Sequence, residues 1–139
     1  MQYGDAFYPH DLDVMAEHFL SQDKTAMFVC TRHARPEKNH IAVDGDVIVL
    51  YDKGNASGAC TLHDAGIVFF RKRILEFCEA DAFRLAEYIM PRLITGRQAS
   101  AYASENQSWG IGSPEKIPRF EAFLETHPGL LEGALAFKR

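Results

Sequence analysis

This sequence of 139 residues contains little that would set it apart from an ordinary globular chain. It has no apolar run long enough to cross a bilayer and no basic-then-apolar leader at its start, which argues against a membrane span and a secretory signal. Cysteine is scarce. Cys30, Cys60 and Cys78 are odd in number and far apart, a usage that suits reduced thiols in a cytoplasm, packed as small apolar residues, and not a disulfide framework. None of the 6 histidines lies four residues from another, so the helical histidine pair of a zinc site is missing. The formal charge is −4 with a pI near 5.8, and the one basic run, Arg71-Lys72-Arg73, reads as a solvated helix start. That balance argues against a nucleic-acid surface. Repeats, low-complexity tracts and internal linkers are also absent, so residues 1–139 read as a single domain with room for a core.

What is present is alternation. Leu12, Met15, Ala16, Phe19 and Leu20 recur at helical spacing, predicting an amphipathic helix over Asp11 to Ser21. Ala26 to Thr31 is a buried-strand run. Ile41 to Val43 and Val47 to Tyr51 flank Asp44-Gly45-Asp46 and predict a hairpin. A polar loop, Asp52 to Gly58, precedes a second buried strand, Ala65 to Phe70. Asp81 caps a predicted helix whose inner face is Phe83, Leu85, Ala86, Ile89, Met90 and Leu93, with Pro91 bending or ending it. Ala99 to Ala103 and Gln107 to Trp109 look extended. Strands alternating with helices predict an α/β layer structure.

The stretch SWGIGSPEKIPRFEAFLETHP, Ser108 to Pro128, carries the sharpest local signal. Ser113 is a good N-cap, Pro114 suits the first helical position and Glu115 complements the helix dipole. Lys116 stands where a capping box would place Glu or Gln. Ile117, Phe120, Phe123, Leu124 and His127 form one apolar face, and Pro128-Gly129 ends the helix. Gly110 and Gly112 permit backbone angles or close approaches that a side chain would forbid. The residues themselves predict a tight strand-to-helix corner.

Four segments, YGDAFYPHDL, NHIAVDGDVIVLYDKG, HDAGIVFFRKRIL and WGIGSPEKIPRFEAFL, stand in an order that resembles the sugar-phosphate nucleotidyltransferases, most of all the short bacterial branch acting on mannose, heptose or N-acetylmuramate 1-phosphates. The resemblance runs from Gln2 to Leu124. It implies a Rossmann-like, GT-A-like α/β sheet flanked by helices. The implied reaction joins a sugar 1-phosphate to a nucleoside triphosphate and releases pyrophosphate. Bringing two polyanions together calls for a divalent ion, backbone N–H groups and a cationic side chain. By resemblance Asp5 is the Mg²⁺ ligand and a catalytic residue. Lys53 is a catalytic and substrate-binding cation at the sugar phosphate, Gly66 lets the sugar approach closely, and Asp64, with His63 beside it, touches the sugar. On the residues alone, Asp5 reads as a turn aspartate after a strand, Lys53 equally as a solvated loop lysine, Gly66 equally as a strand bulge, and His63 and Asp64 as loop polar groups.

Two departures accompany the resemblance. Gly110 stands where the family usually carries an acidic residue that helps hold the metal, and an aspartate there would be expected to strengthen Mg²⁺ or Mn²⁺ binding. The glycine-rich G-x-G-T-R loop and the Pro-Lys segment that bind the nucleotide have no counterpart, so the front strands, about two-fifths of the usual domain, are expected to be missing. This implies a chain inactive by itself, with the NTP supplied through another chain, or else a non-catalytic sugar-phosphate-binding or assembly module, or a truncated remnant. It also implies an open sheet edge at Met1 to Tyr3, closed by a homodimer or by a bound partner chain.

Overall fold

The uncharged segment AMFVCT, Ala26 to Thr31, becomes the strand on which the rest of the sheet is assembled. In this computed structural model, residues 1–2, 4–9, 11–32, 38–78 and 85–130 are described. Their elements run β1 (Ala6–Phe7), α1 (Leu12–Ser21), β2 (Ala26–Thr31), β3 (Ile41–Asp44), β4 (Val47–Tyr51), β5 (His63–Phe70), a 3-10 segment (Lys72–Phe77), a π-helical segment (Leu85–Ile89), α2 (Met90–Thr95), β6 (Ala99–Ala103), β7 (Trp109–Gly110), a 3-10 turn (Pro114–Lys116) and α3 (Ile117–Thr126). Five strands form one mixed sheet in the order β3-β4-β6-β2-β5, and β1 pairs with β7 in a separate ribbon. β2 runs parallel to β6, in register Ala26↔Ala99, and antiparallel to β5.

All six residues of β2 are buried, because both faces of the sheet are covered, and a strand in that position must be apolar throughout. Successive side chains alternate between the two cores. Ala26, Phe28 and Cys30 join Ile89, Met90 and Leu93 on the α2 side. Met27 and Val29 join Met15 and Phe19 of α1, with Ala65 and Ile67. Of the predicted helical stripe only Met15 and Phe19 are fully buried, while Leu12 and Leu20 stay 47% and 66% exposed. Asp11 caps α1, accepting from the N–H groups of Asp13 and Val14 at 3.1 and 3.2 Å. The predicted hairpin forms with Gly45 at φ +63°, a turn conformation that glycine adopts without strain.

Three local expectations are corrected. Asp81 and Phe83 lie outside the described residues, and Pro91 neither ends the helix nor stands alone as its kink. It sits near the start of α2, directly after the π-helical turn Leu85–Ile89. A proline has no N–H to give and crowds the carbonyl four residues back, and widening the preceding turn relieves that crowding. Arg71 and Arg73 are not a solvated start. Arg71 donates to the carbonyls of Lys24, Leu20 and Gln22 and lies 5.2 Å from the Phe19 ring centroid. Arg73 reaches Thr25, Gln98 and Asp23. Only Lys72 is left exposed in the run. Ser113 does not cap: its hydroxyl donates to Glu115 Oε1 at 2.7 Å, and the chain makes a 3-10 turn before α3 begins.

At the β5 edge Met1 and Gln2 add a short antiparallel pairing. The Met1 ammonium donates to Val68 O at 2.7 Å, and Gln2 bridges Ile67. The three cysteines are free thiols. Among the described residues no helix is long and apolar enough to cross a membrane.

Candidate functional site

A cleft of about 1150 Å³ opens outside the carboxyl ends of the parallel pair β2 and β6, next to the first residues of β5. In open α/β sheets ligands bind in the crevice beyond such strand ends. Thr31, Ser104 and His63–Ala65 form its floor, Tyr51 and Lys53 enter from the end of β4, and Asp5, Trp109 and Gly110 enter from the ribbon. Among the described residues five cationic side chains line it, Arg32, Lys38, Lys53, Lys116 and Arg119, with four carboxylates, Asp5, Asp64, Glu105 and Glu115. Among the described residues a smaller hollow of about 600 Å³ near Phe77, Pro91 and Arg92 gathers no comparable set, and Arg92 there is engaged by Phe77 O at 2.9 Å.

Asp64 organises the floor. It is 7% exposed, and its Oδ1 accepts the Gly66 N–H at 2.8 Å. Its own N–H donates to His40 Nε2 at 3.2 Å. That donor fixes the His40 tautomer: Nε2 accepts, so Nδ1 carries the proton and donates to Lys38 O at 3.1 Å. The His40 ring meets His63 edge-on at 4.8 Å and Tyr51 at 5.2 Å. The local backbone follows from β5. Val29 pairs with Ile67 while Cys30 pairs with Asp64, leaving Ala65 and Gly66 as a bulge, with Gly66 at φ +90°. Burial raises the Cys30 thiol well above its ordinary pKa, and the nearby Asp64 charge adds to it, so Cys30 is a packed thiol and not a nucleophile.

Burial is the main cause lowering the His40 pKa below 6.5, helped by the charges of His63 and Lys53 and opposed by the Lys38 carbonyl and Asp64. The unfolded chain therefore takes up a proton at this residue before the native state does. Its contribution to stability is full above pH 6.5 and falls as pH drops from there toward the folded value. Urea midpoints measured from pH 7.5 down to 5 will show a steeper acid-side loss in the parent than in His40→Asn. Parallel curves would show that His40 titrates freely.

The ribbon corner has its own geometry. The Asp5 carbonyl accepts the Ile111 N–H at 2.7 Å. The Asp5 carboxylate lies against Gly112, where a Cβ would stand 2.5 Å from Oδ2, so only glycine permits this approach. A Cβ at Gly110 would instead lie 3.7 Å from Lys116 Nζ. Trp109 stacks on Phe123 at 4.3 Å with the Arg119 guanidinium 5.4 Å from its ring centroid, and Phe7 meets Phe120 at 5.2 Å.

Asp5, Lys53, His63, Asp64 and Gly110, all singled out in the sequence, line this one cleft; Gly66 does not. It is buried behind the floor and acts through the bond to Asp64. Sequence reasoning passed over Lys38, His40, Tyr51, Lys116 and Arg119. His40 and Tyr51 lie within the quoted NHIAVDGDVIVLYDKG, and their flanking positions around the hairpin were the available signal. Mg²⁺ takes octahedral oxygen ligands, often one or two carboxylates with substrate phosphates. Among the described residues no group of three acidic, histidine or cysteine side chains converges, and the side chain facing Gly110 is an ammonium. Among the described residues a metal held by three protein side chains alone therefore has no site here.

No protein-family model matches the sequence, and no curated protein matches it. Solved structures do match in fold. A protein assigned as a glucose-1-phosphate thymidylyltransferase from Bacillus anthracis, solved with sucrose, superposes with a TM-score of 0.71 at 13% identity over 86% of this chain and 51% of that one. HddC from Yersinia pseudotuberculosis gives 0.64 at 17% identity over 84% and 50%, respectively. Its complex with GMP-PN gives 0.62 at 17% identity over the same shares. This chain spans about half the length of the solved structures it matches. What it shares with them is the fold, a mixed Rossmann-like sheet flanked by helices, of the kind on which a sugar-phosphate nucleotidyltransferase is built.

Proposed function

We propose that the cleft binds a sugar 1-phosphate and that the chain forms the acceptor side of a nucleotidyl transfer. The observation that carries this reading is the convergence of Asp5, Lys53 and Asp64, from three separate sequence segments, on one cleft at the carboxyl ends of β2 and β6. In the reaction a phosphate oxygen of the sugar 1-phosphate attacks the α-phosphorus of a nucleoside triphosphate. The α–β anhydride bond breaks and pyrophosphate leaves. Lys53 and the other cleft cations hold the acceptor phosphate, and the buried Asp64, acceptor-only when ionised, orients sugar hydroxyls. The sequence has no glycine-rich phosphate loop, so the nucleotide is presented by another polypeptide or segment. The ammonium facing Gly110 favours a second reading, a sugar-phosphate-binding module without turnover.

Titration calorimetry against a panel of sugar 1-phosphates and the matching free sugars tests the shared core of both readings. At least one phosphorylated sugar is expected to bind where its free sugar does not, and Lys53→Ala is expected to weaken it about tenfold, the loss typical of one charge-assisted contact. Equal binding of sugar and sugar phosphate would overturn the assignment.

A further inference from the structure

The resemblance calls for a divalent ion beside Asp5, yet the corner is built around a different cation. Lys116 is brought there by backbone. Ser113 is extended, its carbonyl accepts the Lys116 N–H at 3.0 Å in a 3-10 turn, and the turn folds the lysine back against Gly110. The stem lies along the glycine, with Cδ 3.9 Å and Nζ 3.7 Å from the position of a Cβ at 110. An alanine would fit at ordinary contact distance, whereas an aspartate would extend its carboxylate into the ammonium. Arg119, three residues further on, lines the same cleft, as helical neighbours at that spacing do. Lys38 and Lys53 enter the same cleft from other elements. Two of the cleft carboxylates are already engaged. Asp64 is bonded to the Gly66 N–H, and Glu115 is held low first by the Ser113 hydroxyl, with Lys116 a lesser cause.

We propose that this chain binds the phosphate of its ligand without a divalent metal, the Lys116 ammonium beside Gly110 supplying the positive charge at the Gly110–Gly112 corner of the cleft that Asp5 also lines. The inference rests on the phosphate-binding reading above and names the cation for that site. An ammonium is a compact, mobile point charge well suited to a phosphate oxygen. Arg119, Lys38 and Lys53 line the same cleft and add to the charge available to neutralise a dianion.

Trp109 is the single tryptophan of the chain and lines the cleft beside Arg119, so its fluorescence reports occupancy directly. The test titrates the full chain with glucose 1-phosphate and with inorganic phosphate, once in EDTA and once in millimolar Mg²⁺. The dissociation constants are expected to agree within about twofold between the two buffers. Lys116→Gln is expected to weaken binding about tenfold while Lys116→Arg keeps most of it, since one charged hydrogen bond is lost and then largely restored. Gly110→Asp is expected to weaken phosphate binding in EDTA, its carboxylate pairing with Lys116. Thermal melts confirm that each variant folds. Binding that requires Mg²⁺, or that ignores Lys116→Gln, overturns the inference and leaves the sugar-phosphate reading standing. Failure of both probes, and of every sugar 1-phosphate in the panel above, to bind in either buffer overturns that reading itself, and this inference with it.

Discussion

Phe28→Ala will remove about 4 kcal/mol of stability, the midpoint of the usual range for truncating a fully buried phenylalanine. Phe28 is 0% exposed in the middle of β2, packed among Ile41, Ile48, Met90 and Leu93, with the Tyr51 ring 6.3 Å away. β2 is fixed by backbone pairing to its flanking strands β5 and β6, so these strands do not close over the void. Domains of this size hold only about 5–15 kcal/mol in total, so the variant should be largely unfolded by moderate urea. Phe28→Leu, which keeps most of the volume, should lose less than half as much. Urea denaturation at neutral pH measures both. A loss under about 1.5 kcal/mol for the alanine would mean that the core collapses around the gap. Tyr51 shares this packing and also faces the cleft, its hydroxyl 3.4 Å from Asp64 Oδ2. In the folded fraction of Phe28→Ala, ligand affinity should fall as well.

The second large effect is expected at Gly66. At φ +90° an L side chain is strained wherever it is placed, by about 1–3 kcal/mol, and a β-branched one by more. Gly66 is also buried, so the new side chain has to be packed. Gly66→Ala should lose about 2 kcal/mol on the same scale, and Gly66→Val more. The consequence for the site is specific. The bulge holds the Gly66 N–H on Asp64 Oδ1, and flattening it releases the carboxylate that organises the cleft floor. Denaturation and sugar-phosphate titration should therefore both respond. Stability unchanged in Gly66→Ala would show that the bulge relaxes at no cost to negative φ.

The parts of this structure that were legible in the sequence are those fixed by short-range pattern. AMFVCT has no charge to place in water and became a strand buried on both faces. DGD between two alternating runs became the hairpin. Asp5, Lys53 and Asp64 were singled out through ordered segments, and the fold brings them to line one cleft from the ribbon, the end of β4 and the start of β5. What was misread depends on distance. The targets of Arg71 are carbonyls at Leu20, Gln22 and Lys24, about fifty residues earlier, so nothing beside it marks the run as anything but solvated. Ser113 has the right chemistry for a cap, but its hydroxyl is taken by Glu115 and the following turn is 3-10. Lys116 stood out only as the residue where a capping box would place Glu or Gln. Its position against Gly110 exists only because that turn is tight.

The parallel partnership of β2 and β6 has a consequence for how the chain is made. Thr25, at the head of β2, bonds Gln98 at a separation of 73 residues, and the strand between β4 and β2 is the last to be synthesised of the five. At ribosomal speeds of about 5–20 residues per second, β2 waits roughly 4–15 s for that neighbour. Through that interval an uncharged six-residue strand has one side unpaired, and the hairpin β3–β4 has no place to dock. The nascent protein is thus most vulnerable to association with other chains before Ala99 emerges, and a holding chaperone would find AMFVCT its most exposed target.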